Sequence, residues 1–257
     1  MNFKERNTAP KEEKTQIIFG LRAIMEALTA GKELDRLMIQ DSLNNALAND
    51  LKKLAKEKGV AIQFVPVERI NRVTSGNHQG AVAFVSLLTY HNVSDIIPPL
   101  FEAGKTPLIL ILDRITDVRN FGAIARTAEC AGVDAIILPL KGTAQINADA
   151  IKTSAGALHR IPVCKEPNLK FVIDYLKQSG LQIVSCTEKA ETLCYKADLT
   201  LPTAIILGSE EDGISPEYLK RSDIRVKLPM VGSIGSLNVS VANGVILYEA
   251  LRQRLNS

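Results

Sequence analysis

The order of apolar runs along the last three fifths of the chain restricts its fold most strongly. From Thr106 onward, short apolar runs alternate with longer segments whose apolar residues recur every three or four positions. The predicted strands are PLILILD, VDAIILP, IPVCK, LQIVSCT, TAIILG and DIRVKLP. Strands that alternate with helices predict a mostly parallel sheet with helices on both faces. Ligands of such sheets bind at the carboxyl ends of the strands, so we expect function in the loops there.

The first part of the chain has a separate pattern. Residues 16–88 contain two amphipathic helical segments and several short apolar runs, which predict a small α/β domain. Residues 1–15 are polar and of mixed charge, so we expect a disordered tail. Residues 89–105 lose periodicity and contain Pro98-Pro99, which predicts a linker leading into a short helical piece. The second, larger α/β domain is predicted over residues 106–257.

Several classes of protein do not fit this composition. The apolar runs are much shorter than the roughly 20 residues that cross a bilayer, and the N-terminus lacks the apolar core of a signal peptide. A cytoplasmic location is expected. The four cysteines and three histidines have no metal-ligand spacing, so no metal site is expected. Residues 1–90 carry 13 basic and 10 acidic side chains, against 18 of each in residues 91–257. This excess fits a surface that faces a polyanion and a random imbalance equally well.

The loop after PLILILD leads into a helix with an unusual arginine. Asn120 is a suitable helix cap, and Gly122 permits close approach of another backbone. Arg126 follows along this helix among small side chains that suit close contact. An ordinary surface ion pair with Glu129 is the alternative interpretation of this arginine.

The loop LGSEEDGIS after TAIILG is acidic. Its glycine spacing is similar to that of a phosphate-binding loop, but the lysine is missing and Glu210, Glu211 and Asp212 occupy its interior. Three carboxylates repel a triphosphate and suit a cationic or hydroxyl-rich ligand. A solvated acidic turn is the simpler alternative.

The loop LPMVGSIGS leads into SLNVSVANGV, whose alternation of apolar and polar residues also fits a strand. Ser236 is the predicted N-cap of a final helix that continues through GVILYEALRQRL. On this helix one apolar stripe is expected, formed by Leu237, Val241, Val245 and Tyr248.

These three segments closely resemble the signature motifs of the TrmH-like branch of SPOUT-class RNA methyltransferases. KTSAGALHRIPV is similar to the intermediate segment of that family. IFGLRAIMEAL and GNHQGAVAFV resemble the N-terminal RNA-binding domain of its ribosomal RNA members. The resemblance covers nearly all of residues 17–254 and is closest to the 23S rRNA guanosine-2′-O-methyltransferase type.

The resemblance implies a homodimeric enzyme, paired through its C-terminal domain, that transfers a methyl group from S-adenosyl-L-methionine to a ribose 2′-hydroxyl of RNA. It also implies a deep trefoil knot in the C-terminal domain, an exception to the rule against knotted chains. By motif position, the backbone of Gly208, Leu228 and Leu237 is expected to bind the cofactor.

The resemblance further implies a catalytic group with Arg126 at its centre and Asn120, Glu210, Ser236 and Asn238 around it. A guanidinium with a pKa above about 12 is a poor base at neutral pH. We therefore favour Arg126 as the residue that holds an RNA phosphate and lowers the pKa of the hydroxyl, over direct proton abstraction. Glu210 would orient Arg126 or Asn120, and Asn238 would hydrogen-bond the ribose.

The N-terminal unit resembles a small RNA-binding fold shared with certain ribosomal proteins. Candidate RNA contacts there are Arg22, Arg72, Asn77, His78 and Gln79. Family members with such a domain act mostly on large-subunit ribosomal RNA, often at a guanosine, and this is the expected substrate. The alternatives are a transfer RNA 2′-O-methyltransferase, an antibiotic-resistance ribosomal RNA methylase of the same branch, and a non-catalytic RNA-binding or ribosome-assembly protein.

Overall fold

A computed structural model describes residues 16–256, so the predicted tail, residues 1–15, lies outside the described residues. The N-terminal unit is a four-stranded sheet in the order β1-β4-β2-β3, in which only β2 and β3 are parallel. Its elements are β1 (Ile17–Phe19), α1 (Leu21–Thr29), β2 (Leu34–Gln40), α2 (Ala46–Glu57), β3 (Ala61–Val65), α3 (Val67–Asn71) and β4 (Ala81–Val85). Helices α1 and α2 bury Leu21, Ile24 and Leu51 against one face of this sheet.

The rest of the chain forms an eight-stranded sheet in which every pairing is parallel, as the alternation predicted. The strand order is β10-β12-β9-β11-β6-β7-β8-β5. Its strands are β5 (Tyr90–His91), β6 (Leu108–Leu112), β7 (Ala135–Pro139), β8 (Val163–Glu166), β9 (Gln182–Cys186), β10 (Thr192–Leu193), β11 (Thr203–Leu207) and β12 (Ile224–Lys227). Its helices are α4 (Val93–Glu102), α5 (Val118–Cys130), α6 (Ala148–Thr153), α7 (Leu169–Gln178), α8 (Pro216–Arg221) and α9 (Val239–Arg254).

Strand β6 shows how the core is divided between the two faces of this sheet. Leu108, Leu110 and Leu112 point into a cluster shared with α5 and α9. The intervening Ile109 and Ile111 point into the cluster shared with α4 and α7. Both faces are apolar because helices cover both, as expected for a parallel sheet.

Residues 89–105, predicted as a linker leading into a short helical piece, contain more regular structure than expected. Tyr90–His91 adds an edge strand to the large sheet, and Val93–Glu102 is a helix that includes both prolines. A proline inside a helix costs about 3 kcal/mol or more. Val93 and Ile97 are buried against the core below, and each buried aliphatic side chain contributes about 1.5–3 kcal/mol, which offsets part of that cost.

Two predicted caps were also misplaced. Helix α5 begins after Asp117, whose carboxylate accepts from the Asn120 amide at 2.7 Å, so Asn120 lies inside the first turn. Helix α9 begins after Asn238, whose side chain accepts from the Ser240 amide at 2.9 Å, so Ser236 is not the cap. Both caps lie where a side-chain oxygen reaches the amide two or three residues onward.

Within residues 16–256 no helix is both long and apolar enough to cross a membrane. The histidine, cysteine and carboxylate side chains of the same range form no group of three that could hold a metal ion.

Candidate active site

Three loops that are distant in sequence meet at one point on the carboxyl edge of the large sheet. The Asn120 side chain donates to Glu210 Oε1 at 2.7 Å. The Asn238 side chain donates to the same oxygen at 2.8 Å and to Asn120 Oδ1 at 3.2 Å. We call these three residues the amide–carboxylate cluster. It joins the first turn of α5, the loop after β11 and the cap of α9.

The cluster fixes the direction of two amide groups. Because Glu210 Oε1 accepts from both Nδ2 atoms, the amide oxygens of Asn120 and Asn238 face away from the carboxylate. All three bonds lie on the exposed surface, where hydrogen bonds to a charged group contribute little to stability. Glu210 is hydrogen-bonded to Asn120, and within residues 16–256 it forms no hydrogen bond or ion pair with Arg126.

The loop after β11 is held by residues that sequence analysis did not single out. Asp113, at the end of β6, is 2% exposed and accepts from the Ser215 amide at 2.7 Å. Arg114 donates to Asp212 Oδ2 at 2.8 Å and to the Gly213 carbonyl at 3.2 Å. Arg114 takes the left-handed backbone conformation, φ 60°. The available signal was the aspartate that ends the apolar run PLILILD.

Gly208 is required for the closure of this loop. A Cβ atom built at Gly208 would lie 2.1 Å from the Gly213 carbonyl carbon and 2.2 Å from the Ile214 nitrogen. No real Cβ contact is that short, so only glycine allows the loop to return across its own start. We call residues 208–215 the closed loop.

A cavity of about 530 Å³ lies between the closed loop, the end of β9 and the segment that precedes α9. Gly208 and Leu237, two of the three predicted cofactor-binding residues, line it together with Ser236. Leu228, the third, lines a smaller adjoining cavity of about 80 Å³ that shares Ser236 and Leu237. All three predicted residues therefore border one continuous cleft.

The lining of the cleft suits a small cationic molecule. Its volume falls within the roughly 300–1,000 Å³ of small-molecule sites. The charged residues around it are four carboxylates and one lysine, so the net charge of the lining is negative: Glu188, Glu210, Glu211, Asp212 and Lys189. Burial raises the pKa of the Cys186 thiol in its wall to about 12, so this cysteine is a neutral, weak nucleophile.

Arg126 lies apart from the amide–carboxylate cluster. Asn120 and Arg126 are six residues apart on α5, which corresponds to about 240° of rotation and about 9 Å of rise. Arg126 is exposed, and within residues 16–256 its side chain has no hydrogen bond or ion pair, not even with Glu129. Glu129 is paired with Arg160 at 3.7 Å instead.

The segment before α9 is open. Residues 229–238 are all exposed, and within the described range no hydrogen bond involves residues 229–237. We call residues 229–238 the open loop. Val241, Val245 and Tyr248 form the predicted stripe on α9, but Leu237 precedes the helix, and all four side chains face solvent, between 40% and 52% exposed. The buried side of α9 is formed by Val239, Asn243, Ile246, Leu247 and Ala250.

The candidate RNA contacts of the N-terminal unit fall into two groups. Arg22, Arg72 and Asn77 are exposed and within the described residues have no role in holding a turn, whereas Gln79, although exposed, and His78 are engaged. The Gln79 side chain instead accepts from the Leu21 amide at 3.3 Å, and His78 lies between Asn71 and the Gly80 amide. These two side chains hold the turn before β4 in place.

Comparison with known proteins agrees with this geometry. Residues 107–248 match the SpoU rRNA Methylase family, and residues 17–91 match the family described as RNA 2′-O ribose methyltransferase substrate binding. YacO of Bacillus subtilis, named as a TrmH family tRNA/rRNA methyltransferase, is 32% identical over 92% of this chain and 95% of its own length.

Two solved structures are also similar. The SpoU methyltransferase AviRb from Streptomyces viridochromogenes, in complex with AdoMet, has a TM-score of 0.60 and 25% identity, covering 94% of this chain and 91% of that one. The A. aeolicus TrmH/SpoU tRNA modifying enzyme has a TM-score of 0.54 and 32% identity, covering 63% of this chain and 84% of that one. The matches over most of the sequence confirm the resemblance of its motifs to the TrmH-like branch. The chain belongs to the SpoU rRNA methylase family and is an RNA methyltransferase.

Proposed function

We propose that this enzyme transfers the methyl group of S-adenosyl-L-methionine to a ribose 2′-hydroxyl of RNA. The observation that carries the proposal is the amide–carboxylate cluster, which places two oriented amides at the edge of a cleft of suitable size. Residues 106–257 form the proposed methyltransferase domain and residues 16–88 the proposed RNA-binding domain. The proposal includes the trefoil knot that the family resemblance implies.

The cleft fits the cofactor in size and charge. S-adenosyl-L-methionine supplies an activated methyl group on a sulfonium cation, and AviRb has been solved with AdoMet. Backbone groups of Gly208, Leu228 and Leu237 would hold it, because these residues border the cleft. The carboxylates around the cleft favour a positively charged ligand.

The acceptor side is assigned to the exposed polar residues. The Asn238 and Ser236 side chains would hydrogen-bond the ribose. Glu210 accepts hydrogen bonds from Asn120 and Asn238 and so fixes the orientation of both amides. The guanidinium of Arg126 would hold an RNA phosphate and lower the pKa of the 2′-hydroxyl. These groups align the hydroxyl with the donor, and such alignment supplies much of the rate of a displacement reaction.

The proposal requires a homodimer formed through the C-terminal domain. Arg126 is turned away from the cluster of its own chain, and the exposed stripe on α9 provides an apolar surface for a second copy. A large exposed apolar patch is typical of a protein interface. In a two-fold dimer each subunit would supply Arg126 to the cleft of the other.

The proposed substrate is a guanosine of large-subunit ribosomal RNA. Two observations support it: the family is described as rRNA methylases, and the A. aeolicus tRNA modifying enzyme matches only 63% of this chain. Transfer RNA is the second candidate, because YacO is named for both kinds of RNA.

The test is to incubate the protein with methyl-labelled cofactor and either undermodified ribosomal RNA or transfer RNA, and then to map ribose methylation. We expect one 2′-O-methylguanosine in large-subunit RNA, and no product with Arg126→Ala that still binds RNA. Near-normal methylation by Arg126→Ala would overturn the assigned role. A protein that binds RNA but gives no calorimetric heat with millimolar cofactor would instead be a non-catalytic binder.

A further inference from the structure

The four-stranded sheet of the N-terminal unit has a partly uncovered outer face. The strand register aligns Ile17 with Phe84, Phe84 with Arg36, and Arg36 with Ala61, so these side chains form one row across all four strands. Paired residues of neighbouring strands point to the same face. All four are half-buried. We call them the outer row.

Helix α3 covers only the other half of this face. Met38 and Val82, in the next row, are buried with Ile70 of α3. Ile17 and Phe84 of the outer row pack against the edge of this cluster, and all four side chains of the row remain partly exposed within the described residues.

The outer row contains a cation stacked on an aromatic ring. The guanidinium carbon of Arg36 lies 4.0 Å from the centroid of the Phe84 ring. Within residues 16–256 the Arg36 side chain has no hydrogen bond or ion pair. Burial lowers the pKa of Arg36, Asp35 opposes this, and the nearby charge of Arg69 lowers the pKa further. A half-buried guanidinium beside a second cation, with its donors unused, is suited to an anion.

Among the described residues, the acid that acts on Arg36 is Asp35, and it is engaged elsewhere. Asp35 lies where the register of β2 against β4 shifts. Its carboxylate forms an ion pair with Lys165 and accepts a hydrogen bond from the Tyr90 hydroxyl. Lys165 and Tyr90 belong to the large sheet, at the carboxyl end of β8 and on the neighbouring strand β5. The outer row therefore lies beside the junction of the two units.

This junction is on the same edge of the large sheet as the active site. Strands β6, β7 and β8 are parallel neighbours, and the loop after β6 leads to the amide–carboxylate cluster. Two strand spacings separate β6 from β8, about 10 Å. A strand of RNA can therefore extend from the outer row toward the cleft.

We propose that the outer row, with Arg69, binds an unpaired nucleotide of the substrate RNA. The base stacks on the Arg36–Phe84 pair, and its phosphate accepts hydrogen bonds from Arg36 and Arg69. Single-stranded RNA is recognised by aromatic rings and guanidinium planes of this kind. The inference rests on the proposed function, because it assumes that RNA is the substrate.

Tryptophan fluorescence tests the position of the stacked base, because the chain contains no tryptophan. Phe84→Trp places a reporter in the outer row. Phe64→Trp is the matched control, since Phe64 is 57% exposed on the same sheet, with Lys52 over its ring at 5.7 Å. We expect a single-stranded RNA of about 12 nucleotides to quench the fluorescence of the Phe84→Trp variant and to leave that of the Phe64→Trp variant unchanged.

Other patterns of quenching would overturn the inference. Quenching of the Phe64→Trp control alone, or of both variants equally, would place RNA elsewhere on the domain or show non-specific binding. The emission of the Phe84→Trp variant could also change when residues 1–15 are deleted and stay constant when RNA is added. That result would mean that residues 1–15, and not RNA, bind to the outer row. If RNA binds and is methylated while the emission of the Phe84→Trp variant stays constant, only this inference fails. If the wild-type protein neither binds nor methylates RNA, the proposed function fails.

Charge-removing variants provide a second test that leaves the ring in place. We expect Arg36→Gln and Arg69→Gln each to weaken binding of the same RNA about tenfold. Each should also reduce the slope of log Kd against log salt by about 0.7. Lys53→Gln, which removes one positive charge from exposed α2 on the opposite face, is the control. If Lys53→Gln weakened RNA binding as much as Arg36→Gln, the loss of affinity would reflect the total charge of the domain and would contradict the inference.

Discussion

The closed loop and the open loop border the same cleft but are held in opposite ways. In the closed loop the Ser215 amide bonds to Asp113, Arg114 bridges Asp212 and the Gly213 carbonyl, and Gly208 lets the chain return across itself. The open loop has none of these supports: residues 229–238 are exposed, and residues 229–237 make no hydrogen bond within the described range.

The difference indicates which parts of the site the chain forms alone. The closed loop places Glu210, so the amide–carboxylate cluster is held by hydrogen bonds within one chain. The open loop exposes apolar side chains, including Val231 and Ile234, and continues into the exposed stripe of α9. Exposed apolar side chains next to a backbone without hydrogen bonds are typical of a surface that another molecule covers. We assign that role to the cofactor and to a second copy of the chain.

The largest expected effect comes from placing a charge on the exposed stripe. Val245→Asp would bury an unpaired carboxylate in the proposed dimer interface, at a cost of about 4 kcal/mol, which corresponds to roughly 1,000-fold weaker association. Sedimentation velocity over a concentration series measures it. Phe171→Asp, at a 73% exposed residue of α7, is the control and should leave the dimer unchanged. Equal dissociation by both variants would mean that the stripe is not the interface.

A side chain at Gly208 should disrupt the closed loop. Gly208→Ala forces a Cβ into the backbone of Gly213 and Ile214, so the loop and Glu210 must move. We expect a loss of stability of about 1–3 kcal/mol and roughly 100-fold slower methyl transfer. Thermal unfolding and single-turnover kinetics measure the two effects. Gly235→Ala in the open loop, where no atom lies within 4 Å of the added Cβ, should leave the stability nearly unchanged. The comparison fails if the two variants behave alike.

Removing one support of the closed loop should have a smaller effect. Arg114→Ala removes the hydrogen bonds to Asp212 and to the Gly213 carbonyl. The alanine must still adopt the left-handed backbone conformation of residue 114. We expect amide hydrogen exchange in residues 209–213 to become about tenfold faster, because the exposed pair with Asp212 and the half-buried bond to the Gly213 carbonyl together contribute about 1.4 kcal/mol. Arg119→Ala, at a neighbouring arginine in the first turn of α5, is the control. Unchanged exchange would show that Arg114 does not hold the loop.

The smallest expected effect is the response of the two loops to the cofactor. Saturating S-adenosyl-L-methionine should slow amide exchange in residues 229–238 roughly fivefold and change residues 209–213 by less than about twofold. Exchange followed by mass spectrometry resolves both segments in one sample. Equal protection of both loops would remove the distinction between them.

Much of the fold follows from local patterns, and the errors have physical causes. The parallel sheet was predicted because helices on both faces require apolar runs such as that of β6. The segment around Pro98 was mistaken for a linker because the burial that supports α4 comes from residues distant in sequence. Ser236 and Asn238 are both suitable caps by residue type, and in the structure Asn238 accepts from the Ser240 amide while its Nδ2 donates to Glu210.

The site was only partly accessible from the sequence. The motif resemblance brought Asn120, Glu210 and Asn238 together, and the structure places them in contact. It also placed Arg126 at the centre, whereas in one subunit Arg126 faces away, because rotation along α5 separates it from Asn120. The role of Asp113 and Arg114 depends on the return of the chain near Ser215, which no local pattern indicates.

We infer that Arg126 of a second subunit completes each cleft. Heterodimers that combine one Arg126→Ala chain with one Glu210→Ala chain, purified through two different affinity tags, test it by methyl transfer to ribosomal RNA. Each variant homodimer should retain less than about 1% of the wild-type rate, the scale of losing one transition-state contact. In the heterodimer, the cleft of the Arg126→Ala chain keeps its own Glu210 and receives Arg126 from the other chain. One of the two clefts is therefore intact, and we expect about half of the wild-type rate. A heterodimer as inactive as the two homodimers would contradict it, because Arg126 and Glu210 would then act within one chain.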